Sequence, residues 1–224
     1  MKIKNFLFSG ITAALTASAL LSGNALAQKD WPTKAINLVV PFAAGGPTDT
    51  IARLISVPMG QSLGQTVVVE NVPGAGGTIG MNVVAKAPAD GYTLGVISSG
   101  HVVNPVLYAS IPYDTLKDFA GVSPLASLPS ALVVAPSLGI RNVRDLVAAA
   151  KAKPGTFNYA SAGVGSGTHL NAEIFRLQSG IDALHVPYKG TPDAMTNVIG
   201  GSNDWFFAPL ASALPLIKDG KLQA

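Results

Sequence analysis

Apolar and polar positions change rhythm many times along this chain, and each change marks a short element. INLVVPF (36–42) is apolar at every position but Asn37 and reads as a buried strand. PTDTIARLISVPMGQSLG (47–64) follows with Ile51, Leu54 and Ile55 at helical spacing, which predicts an inward face. QTVVVEN (65–71) reads as the next strand. The stretch 73–91 reads as a glycine-rich turn, a helix with Val83 and Val84 inward, and an Asp-Gly turn; YTLGVISS (92–99) reads as a third strand. The middle, 101–140, holds five prolines and no long periodic helix; it reads as a crossover, with SALVVAPS (130–137) as a strand. Alternation then resumes. Helices are predicted over 142–155 from an Asn cap, over 165–180 closed by Gly180, over 191–201 and over 210–221. Strands are predicted over 157–161, 183–190 and 204–209. Strands alternating with helices imply βαβ units and parallel pairing.

A strand, a glycine-rich loop and a helix recur at 41–49, 73–80 and 161–168. In open parallel sheets ligands bind beyond the carboxyl ends of the strands, where such loops lie. Helix N-termini there offer free N–H groups and a partial positive charge to an anion.

Composition narrows the function classes. The chain has 224 residues, room for one large domain or two small ones, and its charged fraction of 12% is low. That argues against a nucleic-acid binder, which needs a dense basic face. Residues 1–27 carry Lys2 and Lys4, an apolar run from Phe6 to Leu21, and Ala25-Leu26-Ala27. This is the pattern of an export signal cleaved after Ala27, too short and diluted for a membrane span. Without those two lysines the net charge falls from +3 to +1, which implies no acidic partner. There is no cysteine, hence no disulfide, no thiolate metal ligand and no lipidated cysteine. A freely soluble periplasmic protein without a membrane anchor is the expectation.

Three chemical readings are weak. Gly74, Gly76, Gly77 and Gly80 miss the dinucleotide fingerprint, because the sixth place from Gly74 is Ile79. GVGSG (163–167) puts Gly165 third and Ser166 fourth, whereas a nucleophile elbow needs Ser third; Ser166 and Thr168 read as helix caps. His101, His169 and His185 have no metal-ligand spacing, although His101 and His169 follow strand ends. Asp49 reads as a helix-start cap or local ion-pair partner. Asp204 reads either as a strand-start turn residue or as an acceptor facing a cleft.

Seven stretches in order carry a resemblance: PTKAINLVVPFAAGGPTDTIARLI, GQTVVVENVPGAGGTIG, APADGYTLGVISSG, NPVLYASIPYDTLKDF, YASAGVGSGTHLNAEIF, HVPYKGTPDAM and ASALPLIKDGKLQA. Together they resemble the periplasmic substrate-binding proteins of tripartite tricarboxylate transporters, the Bug receptors. The resemblance implies an α/β, two-lobed "Venus flytrap" with parallel-rich sheets. It implies a binding protein rather than an enzyme, with no cofactor and no metal. The implied partners are a small organic acid (a di- or tricarboxylate, an amino acid or an aromatic acid) and membrane transporter subunits.

The resemblance also implies a carboxylate site built mainly from backbone N–H groups and waters. PFAAGGPTD supplies one jaw, with Phe42, Ala44, Gly45, Gly46, Thr48 and Asp49; Gly76, Gly77, Ser99 and His101 lie beside it. SAGVGSGTH supplies the facing jaw, with Ser161, Gly163, Gly165, Ser166, Gly167, Thr168 and His169; Tyr188 and Asp204 complete the candidates. The family's chains run on past this length. The expectation is therefore an incomplete first lobe, 28–124, lacking its returning C-terminal segment, and a second lobe, 125–224, apparently truncated in sum. The rival readings are a secreted serine hydrolase using Ser161 or Ser166, and a truncated product with impaired binding.

Overall fold

A computed structural model of the chain describes residues 31–224. The export signal and its cleavage after Ala27 lie outside the described residues. Residues Lys34–Ala224 group into one unit, which is built on two sheets.

The first sheet has the order β2-β1-β3, all parallel: β1 (Ile36–Val40) between β2 (Val67–Asn71) and β3 (Thr93–Gly95). Pro41 has no N–H for the ladder, so the run INLVVPF stops pairing at Val40. Helix α1 (Pro47–Leu63) opens with Pro at its start and closes at Gly64 in the left-handed conformation. Its inward stripe is the buried Ala52 with the partly buried Ile55, Met59 and Leu63, packed with Ile36, Leu38, Val40 and Val67. Leu54, expected inside, is 69% exposed. It lies two residues, about 200°, round the helix from Ala52, so the stripe that buries Ala52 turns Leu54 to solvent. Helix α2 (Thr78–Lys86) shows the same offset: Gly80 and Met81 face inward, Val84 is half-buried and Val83 is exposed.

The middle also differs from expectation. Gly100–Leu107 forms helix α3 despite Pro105. His101 and Asn104, three apart on one face, are both buried, and Asn104 Nδ2 donates to Gly76 O at 3.2 Å. That inward anchoring stabilises a helix that proline content hides. The connector 121–130 is exposed at all ten positions.

The second sheet has the order β4-β7-β5-β6. β5 (Phe157–Ser161) pairs parallel with β6 (Ala183–Pro187) and with β7 (Trp205–Pro209); β4 (Ser130–Val134) pairs antiparallel with β7. Alternation along β7 buries both faces. Trp205 joins Tyr159, Leu146 and Ala172 on one side, under α4 (Val143–Ala152) and α5 (Gly167–Ser179). Phe206 and Ala208 join Val133, Ala194 and Val198 on the other, under α6 (Thr191–Ile199) and α7 (Leu210–Lys218). Asn142 caps α4 by accepting the Asp145 N–H at 3.0 Å, as its sequence predicts.

Candidate functional site

The loops after β1, β2, β5 and β6 converge between the sheets and line an open cavity of about 590 Å³. Its wall is residues 74–77, 162–164 and 187–189, with Phe42, Tyr108 and Asp193. The two sides approach backbone to backbone. A Cβ on Gly76 would stand 1.9 Å from Val164 O, and one on Gly100 would stand 2.1 Å from Gly165 O. Only glycine permits such contact. Tyr108 Oη donates to Val164 O at 2.9 Å and ties the sides together.

The first loop is pinned by a charged network. Asp49, in the first turn of α1, is buried; its Oδ2 accepts the Gly45 N–H at 2.9 Å and the Arg53 Nε–H at 3.0 Å, and its Oδ1 accepts from Asn71 Nδ2 at 2.9 Å. Asn71 Nδ2 also donates to Phe42 O at 3.1 Å. Burial alone would raise the carboxyl pKa, but the bonds from Arg53, Gly45 and Asn71 outweigh it and hold it below the ordinary value. Asp49 is thus spent on the loop, and so is the Gly45 N–H expected to meet a ligand. Gly45 and Gly46 face Pro192, Ala44 is exposed and Thr48 is buried.

The loop after β5 is pinned differently. Thr168 Oγ1 accepts the Ala162 N–H at 2.9 Å, Ser161 Oγ accepts the Gly163 N–H at 3.1 Å, and His169 Nδ1 accepts the Gly165 N–H at 3.2 Å. The Ser166 N–H donates to Gly163 O at 3.1 Å, and Ser166 Oγ caps α5 by accepting the His169 N–H at 3.3 Å. These donors, expected to hold an acid, close the loop on itself. Ser161 is fully buried and Ser166 nearly so.

Of the predicted residues, Phe42, Gly76, Gly77, Gly163 and Tyr188 stand in the cavity wall. Gly165 packs against Asn104, and Gly167 against Ser99. His101 lies deeper, edge-on to Phe119 at 4.9 Å, beside a void of about 10 Å³; burial lowers its pKa. Asp204 is a correction. Because β7 runs parallel to β5, residue 204 lies at the amino ends of the strands, opposite the cavity. There its Oδ2 accepts the Asn158 N–H at 2.7 Å, and burial raises its pKa against that bond.

Tyr108, Lys189 and Asp193 were missed. Lys189 and Asp193 follow the same strand–loop–helix pattern, β6 into α6, that marked the other loops, so a signal existed. Tyr108 ends the unpredicted α3. Tyr188 Oη donates to Asn203 Oδ1 at 2.6 Å, and burial raises its pKa, with Asp193 adding to the shift. Among the described residues no group of three or more His, Asp or Glu side chains is arranged to hold a metal.

The family model described as tripartite tricarboxylate transporter family receptor matches residues 51–224. The chain belongs to this family. Two relatives are a UPF0065 protein in the tcbD-tcbE intergenic region of Pseudomonas sp. (strain P51), 40% identical over 204 residues, and Protein BugT of Bordetella pertussis (strain Tohama I), 39% identical over 196 residues. These matches cover 91% and 87% of this chain, which spans 60% of the length of each relative. Two solved structures share the fold. Rpa4515 of R. palustris with adipate is 36% identical with a TM-score of 0.82, over 86% of this chain and 65% of its own. MatC of Rhodopseudomonas palustris with bound malate is 32% identical with a TM-score of 0.80, over 87% of this chain and 66% of its own.

Proposed function

We propose that this receptor-family chain forms the ligand-binding part of a periplasmic solute receptor that captures a small carboxylate for a tripartite tricarboxylate-type transporter. The observation that carries this reading is the cavity between the carboxyl ends of two parallel-rich sheets, in a fold shared with structures solved with adipate and malate. Its volume lies in the range of small-molecule sites. The export-signal pattern of residues 1–27 supports a periplasmic location. Among the described residues no helix is long and apolar enough to cross a membrane. Membrane transporter subunits are the proposed partners.

The ligand contacts differ from a purely backbone site. Four N–H groups of the loop after β5 are satisfied internally, so Lys189, the cation in the wall, meets the acid group. Gly76, Gly77 and Gly163 let the ligand approach the backbone closely, and Phe42, Tyr108 and Tyr188 flank its carbon chain. The hydrolase reading fails on access: Ser161 stands 2.6 Å from His185 Nε2 but is fully buried, Ser166 is buried too, and neither lines the cavity.

Titration calorimetry of the purified chain with malate, adipate and their diamides tests the proposal. Binding of an acid near micromolar Kd, about −8 kcal/mol, with no binding of its diamide is the expected result. Equal binding of acids and amides, or of neither, overturns it.

A further inference from the structure

We propose that His169 and His185, stacked beneath the loop 161–166, are positioning residues of the cavity wall: two neutral imidazoles that hold this loop in place as hydrogen-bond acceptors. The rings lie 4.2 Å apart between centroids with planes 26° apart. His169 Nδ1 accepts the Gly165 N–H at 3.2 Å, so its proton sits on Nε2. Ser161 Oγ already accepts the Gly163 N–H and lies 2.6 Å from His185 Nε2. In this arrangement the hydroxyl gives its single proton to that nitrogen, its oxygen keeps a lone pair for the Gly163 N–H, and His185 carries its own proton on Nδ1. The chain of bonds runs from the imidazole pair through Ser161 and Gly165 to residues 162–164 of the cavity wall.

Protonating either ring removes an acceptor. Protonating both sets two positive charges face to face. His169 also sits in the first turn of α5, where the helix dipole disfavours a cation. The groups around the pair do not offset this. Glu173, one turn further along α5, attracts protons to both rings, but Arg176 binds it in a fork of 2.9–3.2 Å and the Tyr159 hydroxyl donates to it. Tyr159 stacks on His185 at 4.9 Å, and Asp182, before β6, acts on Arg176. Burial, with His169 adding to it, pushes His185 down to about 4; burial lowers His169 as well, against Glu173. The pair thus stays neutral through the physiological range, and the wall loosens on acidification.

That this wall touches a ligand rests on the function proposed above; the positioning device does not, and its test needs no ligand. The experiment is NMR on the unliganded chain from pH 7.5 to 4, reading imidazole ¹⁵N shifts and amide protection at Gly163 and Gly165. Expected in the wild type are a neutral pair at pH 7, His169 protonated on Nε2 alone, and at least about tenfold loss of Gly165 protection as the rings take up protons. His169→Asn, whose Oδ1 replaces Nδ1 as acceptor, keeps the protection and loses most of its pH dependence; His169→Leu loses the protection already at pH 7. Imidazoles titrating near 6.5, a proton on His169 Nδ1 at pH 7, or Gly165 protection indifferent to ring protonation overturns the proposal. The wild-type titration alone decides it if a variant fails to fold.

Discussion

The loops after β1 and after β5 solve one problem with opposite electrostatics. In each, a glycine N–H is held by the side chain four residues on, at the third position of the following helix: Gly45 by Asp49 at 2.9 Å, Gly165 by His169 at 3.2 Å. A buried threonine precedes each acceptor, Thr48 and Thr168. The first acceptor is an anion that Arg53 and Asn71 keep charged; the second is a neutral base beside a second neutral ring. A helix N-terminus welcomes the former and tolerates the latter only uncharged. One backbone shape therefore carries two different sensitivities to pH.

The strongest way to break the symmetry is steric. Gly76→Val places a Cβ where Val164 O stands, and its φ of +60° is strained for any side chain. The sides of the cavity cannot then meet, and ligand affinity by calorimetry drops by more than about a hundredfold, nearly 3 kcal/mol. Gly45→Val, which has open space near Pro192 but a φ of +77°, costs less. The reverse ranking would show that closure of the first loop, not the contact between residues 76 and 164, governs binding.

Removing the charged acceptor comes next. Asp49→Ala leaves the Gly45 N–H, Asn71 and Arg53 without their shared partner. Chemical denaturation shows a loss of about 1–3 kcal/mol, discounted at Arg53 because its side chain is 54% exposed.

Acid then separates the loops. His185 has a folded pKa of about 4 against an ordinary 6.5, so the stability tied to its neutral form is present above 6.5 and is lost as pH falls through 4. Asp49 is depressed below 3.8, so its contribution is present above 3.8 and is lost only at lower pH. Hydrogen exchange followed downward from pH 7 finds the Gly165 amide, held by His169 whose pKa burial lowers from 6.5, released before the Gly45 amide, held by Asp49 below 3.8. Equal release would mean that the two acceptors titrate together.

The smallest effect sharpens the link between the sides. Tyr108→Phe removes the bond to Val164 O and costs about 0.5–1.5 kcal/mol of ligand affinity. No change would show that the glycine contacts suffice.

Much of the architecture was legible before any coordinates. INLVVPF, FNYAS and the Asn142 and Gly180 caps lie where local rules put them, because strand runs and caps are decided by neighbours in sequence. The inward faces of α1 and α2 were read off by one position or two, because Leu54 and Val83 are apolar yet lie beyond the buried stripe. Helix α3 was missed because Pro105 argues against it locally, while the anchoring that holds it, Asn104 on Gly76, joins residues 28 apart.

By itself the sequence determined the alternation of strand and helix, the glycine-rich loops at strand ends and the family to which the chain belongs, all carried by short-range patterns. Tertiary structure decided what those loops do with their donors. Sequence shows that Gly45, Gly163 and Gly165 can present N–H groups, but not that Asp49, Ser161 and His169 turn back to accept them. It likewise cannot place Asp204 away from the cavity, since that depends on the direction in which β7 pairs with β5. Hydrogen bonds and strand directions are fixed by which groups come within about 3 Å after packing, and that distance is written in the fold rather than in residue order.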